Sequence, residues 1–125
     1  QILDKPGKLD EAEWAEMKRH AALGDEILSR IAAFADLARV AGAHHEKLDG
    51  SGYPRGLAAA QIDLETRIVA CADVFDALTA DRPYRPAMPV AKAFGIIEAE
   101  FGEKLDRACV DALQRAVALV ESAAA

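Results

Sequence analysis

The chain has 125 residues, 52% hydrophobic and 29% charged, enough for a single domain with a buried core. Fifteen Lys and Arg against 21 Asp and Glu leave a net charge of -6, which excludes polymeric nucleic-acid binding by a general basic surface but leaves room for a local arginine site for a small anion. There is no apolar run of membrane-spanning length and no secretory leader pattern, and Cys71 and Cys109 read as buried free thiols, which suits a reducing, cytoplasmic setting.

Lys5-Pro6-Gly7-Lys8 reads as a loop. Asp10 with Glu13 three residues on is a capping-box arrangement, opening a helix whose apolar residues are Trp14, Met17, Ala21, Gly24, Leu28 and Ile31. A second helix holds Phe34, Leu37, Val40 and Ala41 and should fail near Gly42. Residues 44 to 56 carry Gly50, Gly52, Pro54 and Gly56 and form an irregular loop. The third helix is read from Leu64, Ile68, Cys71, Phe75 and Leu78, and it stops before Arg82-Pro83-Tyr84-Arg85-Pro86. Pro89 suits the first turn of a fourth helix through Ala93, Phe94, Ile97 and Phe101, which Gly102 breaks. A last helix carries Leu105, Cys109, Leu113, Val117 and Val120, with a frayed end at residues 123 to 125. The expectation is an all-α bundle of about five helices over residues 1 to 125, with no strand-period run, repeat or linker.

The chain has three histidines, His20, His44 and His45. Neighbours in a continuous helix point about 100° apart, but His44 and His45 stand where a helix gives way to a glycine-rich loop, and there both rings can turn inward toward one ion. Neutral imidazole suits zinc, iron or manganese. Asp73 is a further candidate ligand, off the apolar stripe of the third helix with Asp76 on its face; taken alone, the two carboxylates read as a solvated helix face. Gly52-Tyr53-Pro54 is either turn chemistry or a ligand-facing loop. Arg82 and Arg85 on a proline-stiffened turn can present bidentate donors to phosphate, or pair with surface carboxylates.

In order, these segments resemble the HD-GYP family from Lys5 to about Leu113. Glu13-Trp14 with Met17-Lys18-Arg19-His20 is similar to the stretch after that family's His-Asp signature. His44-His45-Glu46, Asp49-Gly50 and Gly52-Tyr53-Pro54 resemble its second signature, and residues 72 to 79 with Arg82-Pro83-Tyr84-Arg85 its third. The resemblance implies a helical HD-type fold holding two or three divalent metal ions, commonly iron or manganese, and hydrolysing cyclic di-GMP to the linear dinucleotide or GMP. It implies His20, His44, His45 and Asp73 as metal ligands, with His45 and Asp73 at the catalytic centre. Arg82 and Arg85 would contact substrate, and Gly52, Tyr53 and Pro54 would shape a substrate loop also proposed to meet diguanylate cyclase domains. Glu46 and Asp76 are read as carboxylates that orient the imidazoles. Metal ions in such a site polarise the phosphoryl group and supply hydroxide, while arginines offset the developing charge.

The His-Asp pair has no counterpart here, and the resemblance places it shortly before Ile2; with Gln1 rather than Met first, the domain is expected to be N-terminally incomplete. Leu105-Asp106-Arg107 replaces a Phe-Asp-Pro common in the family, a change expected to affect only a helix cap. Two functions follow. One is a phosphodiesterase of which this chain is a part, weak or inactive by itself; the other is a non-catalytic module that binds cyclic di-GMP or a partner protein. Apolar faces of the first and third helices are expected to stand open, inviting a homodimer.

Overall fold

A computed structural model of the chain describes Lys5, residues 7–82 and residues 85–124. Pro6 of the first loop, Pro83 and Tyr84 of the arginine turn and Ala125 of the expected frayed end lie outside the described residues. Among the described residues there are five α-helices: α1 (Glu11–Ser29), α2 (Ala35–Ala43), α3 (Leu64–Thr79), α4 (Val90–Phe101) and α5 (Arg107–Ala124). Single 3-10 turns sit at Ala32–Phe34 and Ala59–Gln61, and the only strand-like features described are two isolated bridges, Asp49 with Ala58 and Arg82 with Arg85. The all-α reading with five helices stands.

Local chemistry sets the helix starts. The Asp10 carboxylate accepts from the Glu13 amide at 2.9 Å, and Glu13 accepts from the Asp10 amide at 2.8 Å, the expected capping box. Asp63 caps α3 by accepting from the Thr66 amide at 2.8 Å, and the same carboxylate is ion-paired with Arg39 of α2. At the head of α5, Asp106 accepts from the Cys109 amide at 3.2 Å, so the departure at residues 105 to 107 keeps its cap.

Two packing units result. In the first, α1 lies against α2. Gly24 comes close enough that a Cβ there would meet the Ala41 methyl at 3.6 Å. α2 ends at Ala43, next to Gly42 as expected, and Gly42 itself is buried against Asp25, where a Cβ would lie 2.8 Å from the Asp25 Cβ. Close helix approach is what this glycine serves.

In the second unit, α3, α4 and α5 enclose Ala70, Cys71, Phe94, Ile97, Leu105, Cys109 and Val110, flanked by Val74, Phe75 and Leu78. Phe75 stacks on Phe94 with ring centroids 5.0 Å apart. The stripe read for α3 is corrected at its first half: Leu64 and Ile68 are 61% and 52% exposed, because the face that meets α4 and α5 runs through Ala70, Cys71 and Val74. Both cysteines are buried and free, and burial pushes the Cys71 thiol up to about 11. Apolar side chains of α1 and α3 (Leu23, Ile27, Leu64, Ile68, Val69) are exposed, as expected. No helix of the described residues is long and apolar enough to cross a membrane.

Arg67 ties the second unit together. Its guanidinium donates to the carbonyls of Ile62, at 2.9 Å, and Ala59, and to Asp106 Oδ2 at 2.9 Å, tying α3 both to the turn before it and to the head of α5.

Candidate metal centre

The three histidines arrive from two places and meet. His20 lies on α1, His44 is the C-cap of α2 and His45 follows it into the loop. One ligand atom from each lies within 4.8 Å of the others. Ring centroids are 4.0 Å apart for His44 and His45, 4.8 Å for His20 and His45 and 5.6 Å for His20 and His44.

Carbonyl oxygens fix two of the rings. His20 Nδ1 is 2.6 Å from the Met17 oxygen, and His44 Nδ1 is 2.8 Å from the Ala41 oxygen. A carbonyl can only accept, so each Nδ1 carries the proton and each Nε2 keeps its lone pair. Such a bond is the usual support of a metal-ligating imidazole. His45 Nε2 stands 2.9 Å from His20 Nε2. Two nitrogens at about 2.1 Å from one ion and about 90–110° apart would be separated by about 3.0–3.4 Å. The donor set suits a transition metal, and its closest pair stands near that separation.

Burial, and then the neighbouring His44 and His20, push the His45 imidazole down to about 3, so it is neutral at physiological pH, as a ligand must be. Asp73 Oδ2, from α3, lies 3.6 Å from His45 Nδ1, beside the imidazole group. The structure thus brings together His20, His44, His45 and Asp73.

Local folding explains why the pair points inward. Past Ala43 the chain leaves the helix, and the loop doubles back upon it. Gly52 is the pivot: a Cβ there would fall 2.4 Å from Glu46 Cα and Lys47 N and 2.5 Å from the His45 oxygen. Only glycine permits backbone against backbone at this distance. Gly50 and Gly56, at φ +79° and +66°, make the left-handed turns on either side. The Tyr53 amide then donates to the His45 oxygen at 3.3 Å, and the Tyr53 ring stacks on His45 with centroids 4.8 Å apart. Trp14 of α1 meets Tyr53 edge-on at 6.3 Å. Burial, with the Asp73 charge second, raises the Tyr53 phenol above its ordinary value, so it stays a donor.

Two carboxylates read as imidazole partners have other work. Glu46 is 2% exposed, and its two oxygens accept from the Arg55 amide at 2.7 Å and the Leu57 amide at 2.9 Å. It closes the loop instead of orienting a ring. Asp76 pairs with Arg82 at 3.2 Å. Arg85 turns back onto α3, donating to the carbonyls of Ala77 and Leu78 and to that of Pro86, so its guanidinium is engaged at the helix C-terminus. The described contacts of Arg82 and Arg85 do not include the imidazoles.

Sequence reasoning missed a cavity of about 330 Å³ opening beside His45, whose wall includes Lys18, Lys47 and Lys104. Burial holds the Lys47 ammonium below its ordinary value, against the raising effect of Asp73. The available signal was weak: three lysines spread over 87 positions show no pattern until α1, the loop and the turn after α4 converge.

A family model described as the HD domain matches residues 1–109. A 3'3'-cGAMP-specific phosphodiesterase of Vibrio cholerae is 56% identical over 119 residues, covering 95% of this chain and 26% of that protein. The cyclic di-GMP phosphodiesterase response regulator RpfG of Xanthomonas campestris is 49% identical over 122 residues, 96% of this chain and 32% of that protein. A cyclic di-GMP phosphodiesterase of Thermotoga maritima is 44% identical over 114 residues, 90% and 31% respectively. Among solved structures, Bd1817, an HDG"Y"P protein from Bdellovibrio bacteriovorus, superposes with a TM-score of 0.69 over 91% of this chain and 37% of that one, at 19% identity, a likeness of fold. The chain belongs to the HD domain family, in its HD-GYP branch. It spans about a quarter to a third of the curated relatives it matches.

Proposed function

We propose that this chain supplies the histidine centre and substrate loop of a metal-dependent phosphodiesterase that hydrolyses cyclic di-GMP. The observation that carries the reading is the group of three imidazoles with ligand atoms within 4.8 Å, two of them already oriented by carbonyls. The relatives named above act, by their names, on cyclic di-GMP or 3'3'-cGAMP, which makes a cyclic dinucleotide the substrate class.

His20, His44 and His45 hold one ion, iron or manganese. Asp73 directs one carboxylate oxygen at His45 Nδ1 and offers the other to a second cation. When bound, such ions polarise the phosphoryl oxygens and lower the pKa of water. The rest falls to the chain itself. Tyr53 shields one face of His45 from water and presents a hydroxyl donor to the substrate. Gly52 and Pro54 set the loop that carries it. Arg82 exchanges its exposed partner Asp76 for a substrate phosphate, and Arg85 fixes the turn that presents Arg82. The proposal places the protein in the cytoplasm, where cyclic dinucleotides act as second messengers, with diguanylate cyclase domains as candidate partners of the loop and a second copy as a candidate cover for the open faces of α1 and α3.

The test is metal content per chain by plasma mass spectrometry, on the protein and on the His44→Ala/His45→Ala double variant, with cyclic di-GMP turnover followed chromatographically. Near-stoichiometric iron or manganese that disappears in the variant together with turnover supports the reading. Unchanged metal content in the variant would sink it.

A further inference from the structure

Beside the histidine centre lies the cavity that this reading leaves unassigned. Three structural segments build it. Trp14 and Lys18, one turn apart on α1, form one wall; Lys47 and Tyr53 of the loop form the second; Phe101 and Lys104, at the end of α4, form the third. A backbone bond holds the last two walls together: the Leu48 amide donates to the Lys104 oxygen at 2.9 Å.

The charge pattern is unusual for an acidic protein. Three of the chain's six lysines line this one cavity although the net charge is -6. All three are half-buried, and among the described residues none has a carboxylate within 4.0 Å. The ammonium groups of Lys47 and Lys104 both lie over the Phe101 ring, at 5.4 and 5.9 Å from its centre. Two like charges held over one ring repel, and the ring's negative face offsets only part of that. A lysine that merely lays its stem on apolar surface carries its head out to water. Here the heads flank a common space, and an anion in that space would offset them.

Its neighbour says which anion. His45 belongs both to the cavity wall and to the imidazole group. A phosphodiester reacting at the imidazoles would leave the rest of its molecule in this cavity. We infer that Lys18, Lys47 and Lys104 form a second phosphate subsite, which holds the non-reacting phosphate of the cyclic dinucleotide while Trp14 and Tyr53 face its base. The inference rests on the proposed substrate class. It gives a positioning role to three lysines that the resemblance left without one, and it explains how an acidic chain draws in a ligand with two negative charges.

The experiment is calorimetric titration of the protein in EDTA, which prevents turnover, with cyclic di-GMP, GMP and inorganic phosphate as separate probes. Lys18→Met and Lys104→Met should each raise the Kd for cyclic di-GMP about tenfold and flatten its salt dependence, with Lys104→Arg restoring most of the loss. The thermal midpoint of each variant, and its metal content when loaded without EDTA, should match the parent, which separates a lost contact from a damaged fold. Parent-like affinity in both Met variants, in a protein that hydrolyses cyclic di-GMP, would overturn the subsite and leave the proposed function standing. Lysine-dependent binding of GMP in a protein that hydrolyses no cyclic dinucleotide would instead keep the subsite and remove the proposed substrate. Inorganic phosphate binding as tightly as GMP would reduce the cavity to a free-phosphate site and also overturn the inference.

Discussion

The loop at residues 44 to 58 and the outer faces of α1 and α3 stand at opposite ends of structural determination. The loop has almost no regular secondary structure, yet its polar groups are closely matched: Glu46 takes two backbone amides, Asp49 takes the amide and hydroxyl of Ser51, and Leu48 is bonded on both sides. The helices are regular, but Ile27 and Leu64 are 63% and 61% exposed on them. Helical backbone satisfies itself and leaves its side chains free to face anything, whereas an irregular segment must find a partner for each amide from elsewhere. In this molecule irregularity marks the place where the fold is most constrained, and that is where the histidines sit.

Four substitutions probe this contrast. Gly52→Ala should cost the most, about 3–4 kcal/mol, because the new methyl meets backbone that cannot swing away. Urea midpoints measure it, and a change under 1 kcal/mol would show that the loop yields more easily than its packing implies. Arg67→Met should cost about 2–3 kcal/mol through two carbonyls and Asp106. It should also alter the acid limb of stability. The Arg67 bond holds the Asp106 carboxyl below its ordinary value, so this stabilisation is complete above the ordinary aspartate value of about 4 and disappears as pH falls through the folded value. Stability of the parent measured from pH 5 downward should fall more steeply than that of the variant; parallel curves would refute the linkage.

Glu46→Gln follows at about 1–2 kcal/mol, since an amide can accept from only one of the two backbone donors without turning an N–H toward the other. Hydrogen exchange should quicken at the Arg55 and Leu57 amides, and unchanged protection would mean the loop closes without this carboxylate. Ile68→Gln on the open face of α3 should shift stability by no more than about 0.5 kcal/mol. A larger loss that shrinks on dilution, with the parent but not the variant sedimenting as a dimer, would reveal a second copy on that face.

The sequence made some of this legible and hid the rest for physical reasons. Periodicity and caps are local, so the five helices and the Asp10–Glu13 box could be read directly. The inward turn of His44 and His45 was legible because glycines bracket the pair. Which edge of the α3 stripe is covered was not, because that depends on where α5 crosses. Nor was the work of Glu46, whose partners lie 9 and 11 residues on. Arg67 reaches Asp106 across 39 positions, and the three lysines belong to separate segments; neither association leaves a local trace. Asp76 and Arg85 looked like site residues by residue type, and geometry gave them nearer partners.

One residue without a functional side chain has a consequence for how this chain can change length over time. Leu48 donates its amide to Lys104 and accepts the amide of Ala59, so three stretches of chain are held in register at one point. An inserted residue between Phe101 and Leu105 would slide Lys104 past Leu48 and carry the cavity wall away from the imidazoles. The same insertion in the last turn of α5, where Glu121 and Ser122 are exposed, would displace no such junction. Natural length variation should therefore be scarce in the short turn after α4 and common toward the end of α5, a pattern set by a leucine backbone and not by any residue that touches substrate.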